Sequence, residues 1–141
     1  MKPIMKVMSR LNVWVYRASN GRVFGKFPGG SGADICLVTM TGRKSGKEIT
    51  IPLIHLPHGD DAILVASQGG MEKHPAWFYS VSANPKVRVQ FQGGVRDMLA
   101  RRASDDEKRE LWPHLRSIYP DFEEYQARTD RNIPVFICSP A

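Results

Sequence analysis

The sequence predicts a mainly β (α+β) domain in which six short strands form a closed or split barrel decorated with short helices. Three observations lead there. Five runs rich in β-branched residues lie between Ile35 and Arg102, each bounded by turn formers. A sixth run, Ile133 to Cys138, follows a long helical stretch and must return to the same sheet. Closing the sheet removes the exposed edges that six short strands would otherwise leave. With 141 residues, 42% of them hydrophobic and 9% aromatic, the chain can bury one core, and it contains no internal repeat or low-complexity tract.

Residues 3 to 19 place Ile4, Met8, Leu11, Val15 and Ala18 at helical spacing, with Lys6, Arg10 and Arg17 elsewhere on the wheel. That is a basic amphipathic helix, whose apolar stripe can pack on its own domain, rest on a membrane surface or cover a ligand. Asn20 to Asp34 holds five glycines and a proline and reads as a connection, so the barrel is expected over 35–141 and the helix with its connection over 1–34. The strands are expected at 35–39, 49–56, 62–67, 87–91 and 95–102, joined by short hairpin-type connections in a mainly antiparallel sheet. Ala76 to Ala83 forms a short helix that stops before Asn84-Pro85. Ser104, with Glu107 three residues on, is a capping box opening a longer helix. Pro113 lacks an amide donor, which predicts a kink or a break between two short helices.

The formal charge is +6, and it is unevenly distributed. Residues 1 to 50 carry nine Lys or Arg against Asp34 and Glu48, whereas residues 51 to 141 carry eleven against twelve acids. A basic face of this kind implies an anionic partner. Nucleic acid is not expected, because no aromatic is interleaved with the basic turn described below. Cys36 and Cys138 both lie in apolar strands, so they are expected as buried, unpaired core thiols of a reducing compartment. No apolar run approaches the roughly 20 residues of a membrane span, and the N-terminus lacks a signal-peptide core, so a cytoplasmic protein is expected, with peripheral membrane contact through the N-terminal helix open. It is expected as a monomer or homodimer.

Three stretches carry candidate chemistry. In Thr39 to Pro52 a strand gives way to a glycine-bracketed turn whose Arg43, Lys44 and Lys47 cations and Ser45 hydroxyl suit phosphate or carboxylate; the alternative is a solvated hairpin tip. In Ser67 to Trp77 a buried strand leads into a helix start, with Gly69-Gly70 permitting close approach of a flat ligand, Lys73 adding charge and Trp77 an aromatic wall; the alternative is a surface loop with Trp77 in the core. Tyr119, Phe122 and Tyr125 sit three apart, either as core or as a pocket wall with phenolic donors. A metal site is not expected: His55 and His58 face opposite sides of an extended segment and lack partners at zinc-ligand spacing. No GxSxG elbow is present, and the acids of 105–110 and 121–124 read as helix N-terminal turns.

Taken together, TGRKSG (41–46), ASQGG (66–70), KHPAWFY (73–79), ANPKVRVQ (83–90) and YPDFEEYQARTDRNIPV (119–135) resemble the deazaflavin-dependent nitroreductase family of actinobacteria. The resemblance covers residues 35 to 140. It implies the FMN-binding split-barrel type of fold, binding of reduced coenzyme F420, and hydride transfer to an electron-poor acceptor such as a quinone, an α,β-unsaturated carbonyl compound or a nitroaromatic. It further implies that Arg43, Lys44 and Ser45 hold the phosphate and glutamate tail. Pro52 and Ser67 would line the deazaflavin ring, Gln68 would be a further coenzyme contact, Lys73, Pro75, Ala76 and Trp77 would surround phosphate and ring, and Tyr119, Phe122 and Tyr125 would form the substrate pocket. Tyr119 and Ser67 are the implied proton or hydrogen-bond donors at the reacting centre. Three departures bear on tail grip and nitroimidazole activation: Ile49 replaces an arginine, Gln68 a lysine and Phe122 a tyrosine. The competing expectation is a barrel of the same type that binds F420 or a fatty acyl chain without turnover.

Overall fold

The computed structural model describes residues 34–91 and 94–141, so the helix expected over 3–19 and all but the last residue of its glycine-rich connection lie outside the described residues. Six strands form the barrel: β1 (Ile35–Thr41), β2 (Glu48–His58), β3 (Asp61–Val65), β4 (Lys86–Phe91), β5 (Gly94–Arg102) and β6 (Val135–Pro140). Their order around the closed barrel is β1-β2-β3-β6-β5-β4, and every ladder is antiparallel. The returning strand thus enters between β3 and β5, pairing Val65 with Val135 and Arg102 with Phe136. β1–β2, β2–β3 and β4–β5 are hairpins as expected, but β3 and β4 are not. The intervening chain carries α1 (Ala76–Ala83), and the free side of β3 is taken by β6.

Strand alternation sorts the side chains into two cores. Cys36, Val38, Met40, Leu53, Ala62, Leu64, Val87, Val89, Met98, Ala100, Phe136 and Cys138 fill the barrel interior, together with Trp77 and Val81 of α1. The neighbouring positions Ile63, Val65, Val135 and Ile137 point outward into a second core beneath α2 (Asp105–Ile118) and α3 (Asp121–Ala127), where Leu111, Leu115, Tyr119, Phe122 and Tyr125 cover them. Both cysteines are free and buried, as the sequence predicts.

The strand ends differ from expectation. β3 stops at Val65 rather than Ser67, because Ser67 and Gln68–Gly70 form a tight 3-10 turn. β6 begins at Val135, two residues later than expected, since Pro134 has no amide to give the ladder. The capping box is formed in both directions: Glu107 N donates to Ser104 Oγ at 3.1 Å and Ser104 N donates to Glu107 Oε1 at 2.9 Å. Pro113 does not split the helix. α2 runs unbroken through it, with the proline on its exposed face, and the chain breaks at Tyr119-Pro120 instead.

Candidate functional site

The basic turn is built by backbone geometry. Gly42 N donates to Lys47 O at 2.8 Å and Gly46 N to Gly42 O at 2.9 Å, and Gly46 adopts φ +70, which favours glycine. The Ser45 hydroxyl is engaged within the turn, accepting from Lys47 N at 3.2 Å. Arg43, Lys44 and Lys47 are exposed. The turn is fastened to α1: Arg43 N donates to Ser80 Oγ at 3.2 Å, and the Arg43 guanidinium lies 4.9 Å from the Tyr79 ring centre. Two stretches whose contacting residues, Arg43 and Ser80, are 37 positions apart in the sequence therefore meet on one side of the barrel.

The strand that leaves the basic turn, β2, has an incomplete edge. The β2–β3 ladder starts at His55 and Leu64, leaving the earlier residues of β2 paired with β1 alone. Pro52 sits on this stretch, half-buried, where a missing amide costs no ladder bond. β3 turns away there into Ser67 and a run of three left-handed residues: Gln68 (φ 45), Gly69 (φ 64) and Gly70 (φ 78). A non-glycine residue at positive φ is held against its preference, as commonly happens at ligand sites. Gln68 Nε2 reaches Lys73 O at 3.4 Å, and α3 packs so closely on the turn that a Cβ at Gly70 would lie 2.6 Å from Tyr125 O.

Arg131 was not singled out by the sequence, yet it braces this loop. It donates to Ala66 O at 3.1 Å, Ser67 O at 2.8 Å and Met71 O at 3.1 Å, and meets His74 Nδ1 at 2.9 Å. The His74 ring stacks on Phe78 with centroids 4.0 Å apart. Burial, then the cations Arg131 and Arg102, lower the pKa of His74 below its ordinary value. These partners lie 57 to 65 positions away along the chain, so no local pattern announces them.

The aromatic candidates are inside. Trp77 is 6% exposed and packs on Phe136 with centroids 5.5 Å apart. Tyr119, Phe122 and Tyr125 are buried in the second core, and the two phenol oxygens lie 3.1 Å apart. Burial, reinforced by hydrogen bonding to Tyr125, raises the Tyr119 pKa well above the ordinary phenol value, so it stays protonated and can donate but not act as a base. Burial likewise pushes the Cys138 thiol up to about 12 and Cys36 higher still, which removes both as nucleophiles at neutral pH. Pro75 is buried, whereas Lys73 and Ala76 are exposed. Among the described residues no group of three or more His, Cys, Asp or Glu could hold a metal ion.

The chain is similar to several known proteins. The family model for F420H(2)-dependent quinone reductase matches residues 8–140. A putative F420H(2)-dependent quinone reductase of Mycobacterium tuberculosis is 38% identical over 98 residues, covering 70% of this chain and 82% of that protein. A solved F420-H2-dependent reductase, FDR-A, superposes with TM-score 0.70 at 43% identity, over 74% of this chain and 93% of that one. A solved domain-swapped dimer superposes with TM-score 0.73 at 36% identity, over 92% and 96% of the two chains. The chain belongs to the F420H(2)-dependent quinone reductase family, oxidoreductases that use reduced coenzyme F420.

Proposed function

We propose that this protein passes a hydride from reduced F420 to a quinone-type acceptor in a cleft bounded by the basic turn, the incomplete edge of β2 and the 66–77 loop. The observation that carries this reading is the anchoring of Arg43 to α1 through Ser80 and Tyr79, which sets a cationic tip on the same Tyr79 ring that His74 of the preceding loop approaches edge-on, with centroids 6.0 Å apart. The residues present fit the coenzyme: exposed Arg43, Lys44 and Lys47 for an anionic tail, and the left-handed Gln68-Gly69-Gly70 backbone and the half-buried Pro52 for a flat ring. F420H2, when bound, supplies the hydride donor.

The chain's own part is positioning and proton management. Arg43 and Lys44 attract and hold the tail, while Ser45 shapes the turn. Ser67 and Gln68 offer polar groups at the ring, and Lys73, Pro75 and Ala76 form the approach to α1. Trp77 supports that wall from the core. The acceptor is assigned to the side of Tyr119, Phe122 and Tyr125; these are buried, so the protonated Tyr119 phenol would donate to the oxygen that gains charge by exchanging its contact with the Tyr125 hydroxyl. Besides quinones, α,β-unsaturated carbonyl compounds and nitroaromatics meet the same electronic requirement. A homodimer follows the precedent of the domain-swapped relative. Residues 3–19, expected from their sequence pattern to be a basic amphipathic helix, are assigned a peripheral membrane or lid role in a cytoplasmic protein; among the described residues no helix is long and apolar enough to cross a membrane.

The test is a titration with F420 and with FMN across a salt series, on wild type and on the Arg43→Ala/Lys44→Ala double variant. F420 should bind and FMN bind much more weakly. The variant's loss of F420 affinity should be larger at low salt, where exposed charges are screened least. Equal affinities of the two proteins throughout would remove the turn from the site.

A further inference from the structure

We propose that Arg131 is a positioning residue for the hydride-transfer site, a clamp that sets the loop carrying Ser67 and Gln68; this rests on the F420 reading above. Its guanidinium spends four of its five N–H donors on this one loop: three carbonyls, of Ala66, Ser67 and Met71, and the ring nitrogen of His74. The loop it grips holds the left-handed Gln68, and a conformation disfavoured by about 1 kcal/mol or more persists only when its surroundings over-determine it.

Arg131 is itself held from behind. Its N–H donates to Thr129 Oγ1 at 3.1 Å and its carbonyl accepts from Gln126 Nε2 at 2.7 Å. The Gln126 side-chain oxygen Oε1 in turn accepts from Lys108 Nζ at 2.7 Å and Ile133 N at 3.1 Å. The brace therefore runs from α2 through α3 to the site loop.

The contact with His74 makes the clamp testable by pH. Arg131 can only donate, so His74 Nδ1 must accept, which requires the neutral ring with its proton on Nε2. Facing that ring are Arg131 from the segment after α3, Arg102 from β5, and Phe78 and Tyr79 from α1, with exposed Glu72 and Lys73 just before it in the chain. The folded-state value is depressed, so the neutral ring and its bond are fully present above the ordinary value of 6.5 and lost as pH falls through the lower folded value.

The experiment measures F420 binding and turnover of a soluble quinone from about pH 5 to about pH 8 on wild type, Arg131→Lys, Arg131→Gln and His74→Asn, with amide exchange over residues 66–74 followed on the ligand-free proteins. Both Arg131 variants should exchange about tenfold faster in that segment with barrel strands unchanged, and lose about a hundredfold in kcat through misplacement of the loop. Lysine keeps the charge but cannot span four acceptors. The acid limb of the wild-type kcat profile should flatten in His74→Asn, whose carboxamide oxygen accepts without titrating. Wild-type turnover and local exchange in the Arg131 variants, or an unaltered acid limb in His74→Asn, would overturn the proposal. A wild type that fails to bind F420 would instead sink the functional reading, while the exchange data still decide whether Arg131 clamps the loop.

Discussion

Gly69 and Gly70 share a left-handed backbone but meet different surroundings, and that difference predicts different costs. A Cβ at Gly69 enters open space, so Gly69→Ala should lose only about 1 kcal/mol of stability from the backbone preference. At Gly70 the Cβ would fall 2.6 Å from Tyr125 O and 2.9 Å from Tyr125 Cα, and backbone cannot step aside as a side chain can. Gly70→Ala should therefore lose about 2 to 3 kcal/mol, read as a lower urea midpoint at unchanged slope. Tyr119→Phe separates packing from chemistry. It keeps the ring and leaves the Tyr125 hydroxyl without its Tyr119 partner, for a stability loss of about 1 kcal/mol. Under the proposed donor role turnover also falls about a hundredfold, with coenzyme affinity little changed; an unaltered rate would make the pair a packing feature only. The basic turn was legible in the sequence because Gly42, Arg43, Lys44 and Gly46 are neighbours. Arg131 was not, because a clamp between distant segments leaves no periodic or compositional trace.

At the level of elements, local chemistry was the best guide. The bounds of α1 and the Ser104–Glu107 capping box could be read directly, since both depend on residues three or four apart. The strand ends at Val65 and Val135 could not, since the turn of Ser67 to Gly70 is fixed by contacts with α3 and Arg131. Pro113 misleads for a related reason: one missing donor on an exposed helix face is tolerated when Leu111 and Leu115 anchor the other face. Pro113→Ala should accordingly raise stability by about 1 to 3 kcal/mol in urea unfolding, by restoring that donor. The start of α2 should also respond to acid. The Arg101 guanidinium, forked onto Glu107 with both contacts at 2.8 Å, and then the Ser104 amide, lower the Glu107 pKa to about 2. Because that folded value is depressed, the stabilisation is complete above the ordinary value of 4.5 and fades as pH falls toward 2, which amide exchange in the first turn of α2 should record.

For the whole molecule, β6 is what closes the sheet β3-β2-β1-β4-β5 into a barrel, since it joins β3 to β5. Removing residues 135–141 should leave both edges open, bare the second core and give an unfolded or aggregated product by circular dichroism and gel filtration. Six strands with one long return already implied closure, but the place where β6 inserts is a long-range choice that strand patterns do not encode. The charge asymmetry is only partly accounted for by the turn: six of the nine cations of residues 1–50 precede residue 34, outside the described residues. The proposed transfer of hydride from F420H2 to a quinone by this barrel is tested most directly by anaerobic oxidation of F420H2 by a soluble quinone, followed through the returning deazaflavin absorbance, with FMNH2 as the competing donor. Oxidation of F420H2 at a rate proportional to protein concentration, with no protein-dependent oxidation of FMNH2, is the predicted result. A rate no faster than the protein-free control would contradict the claim.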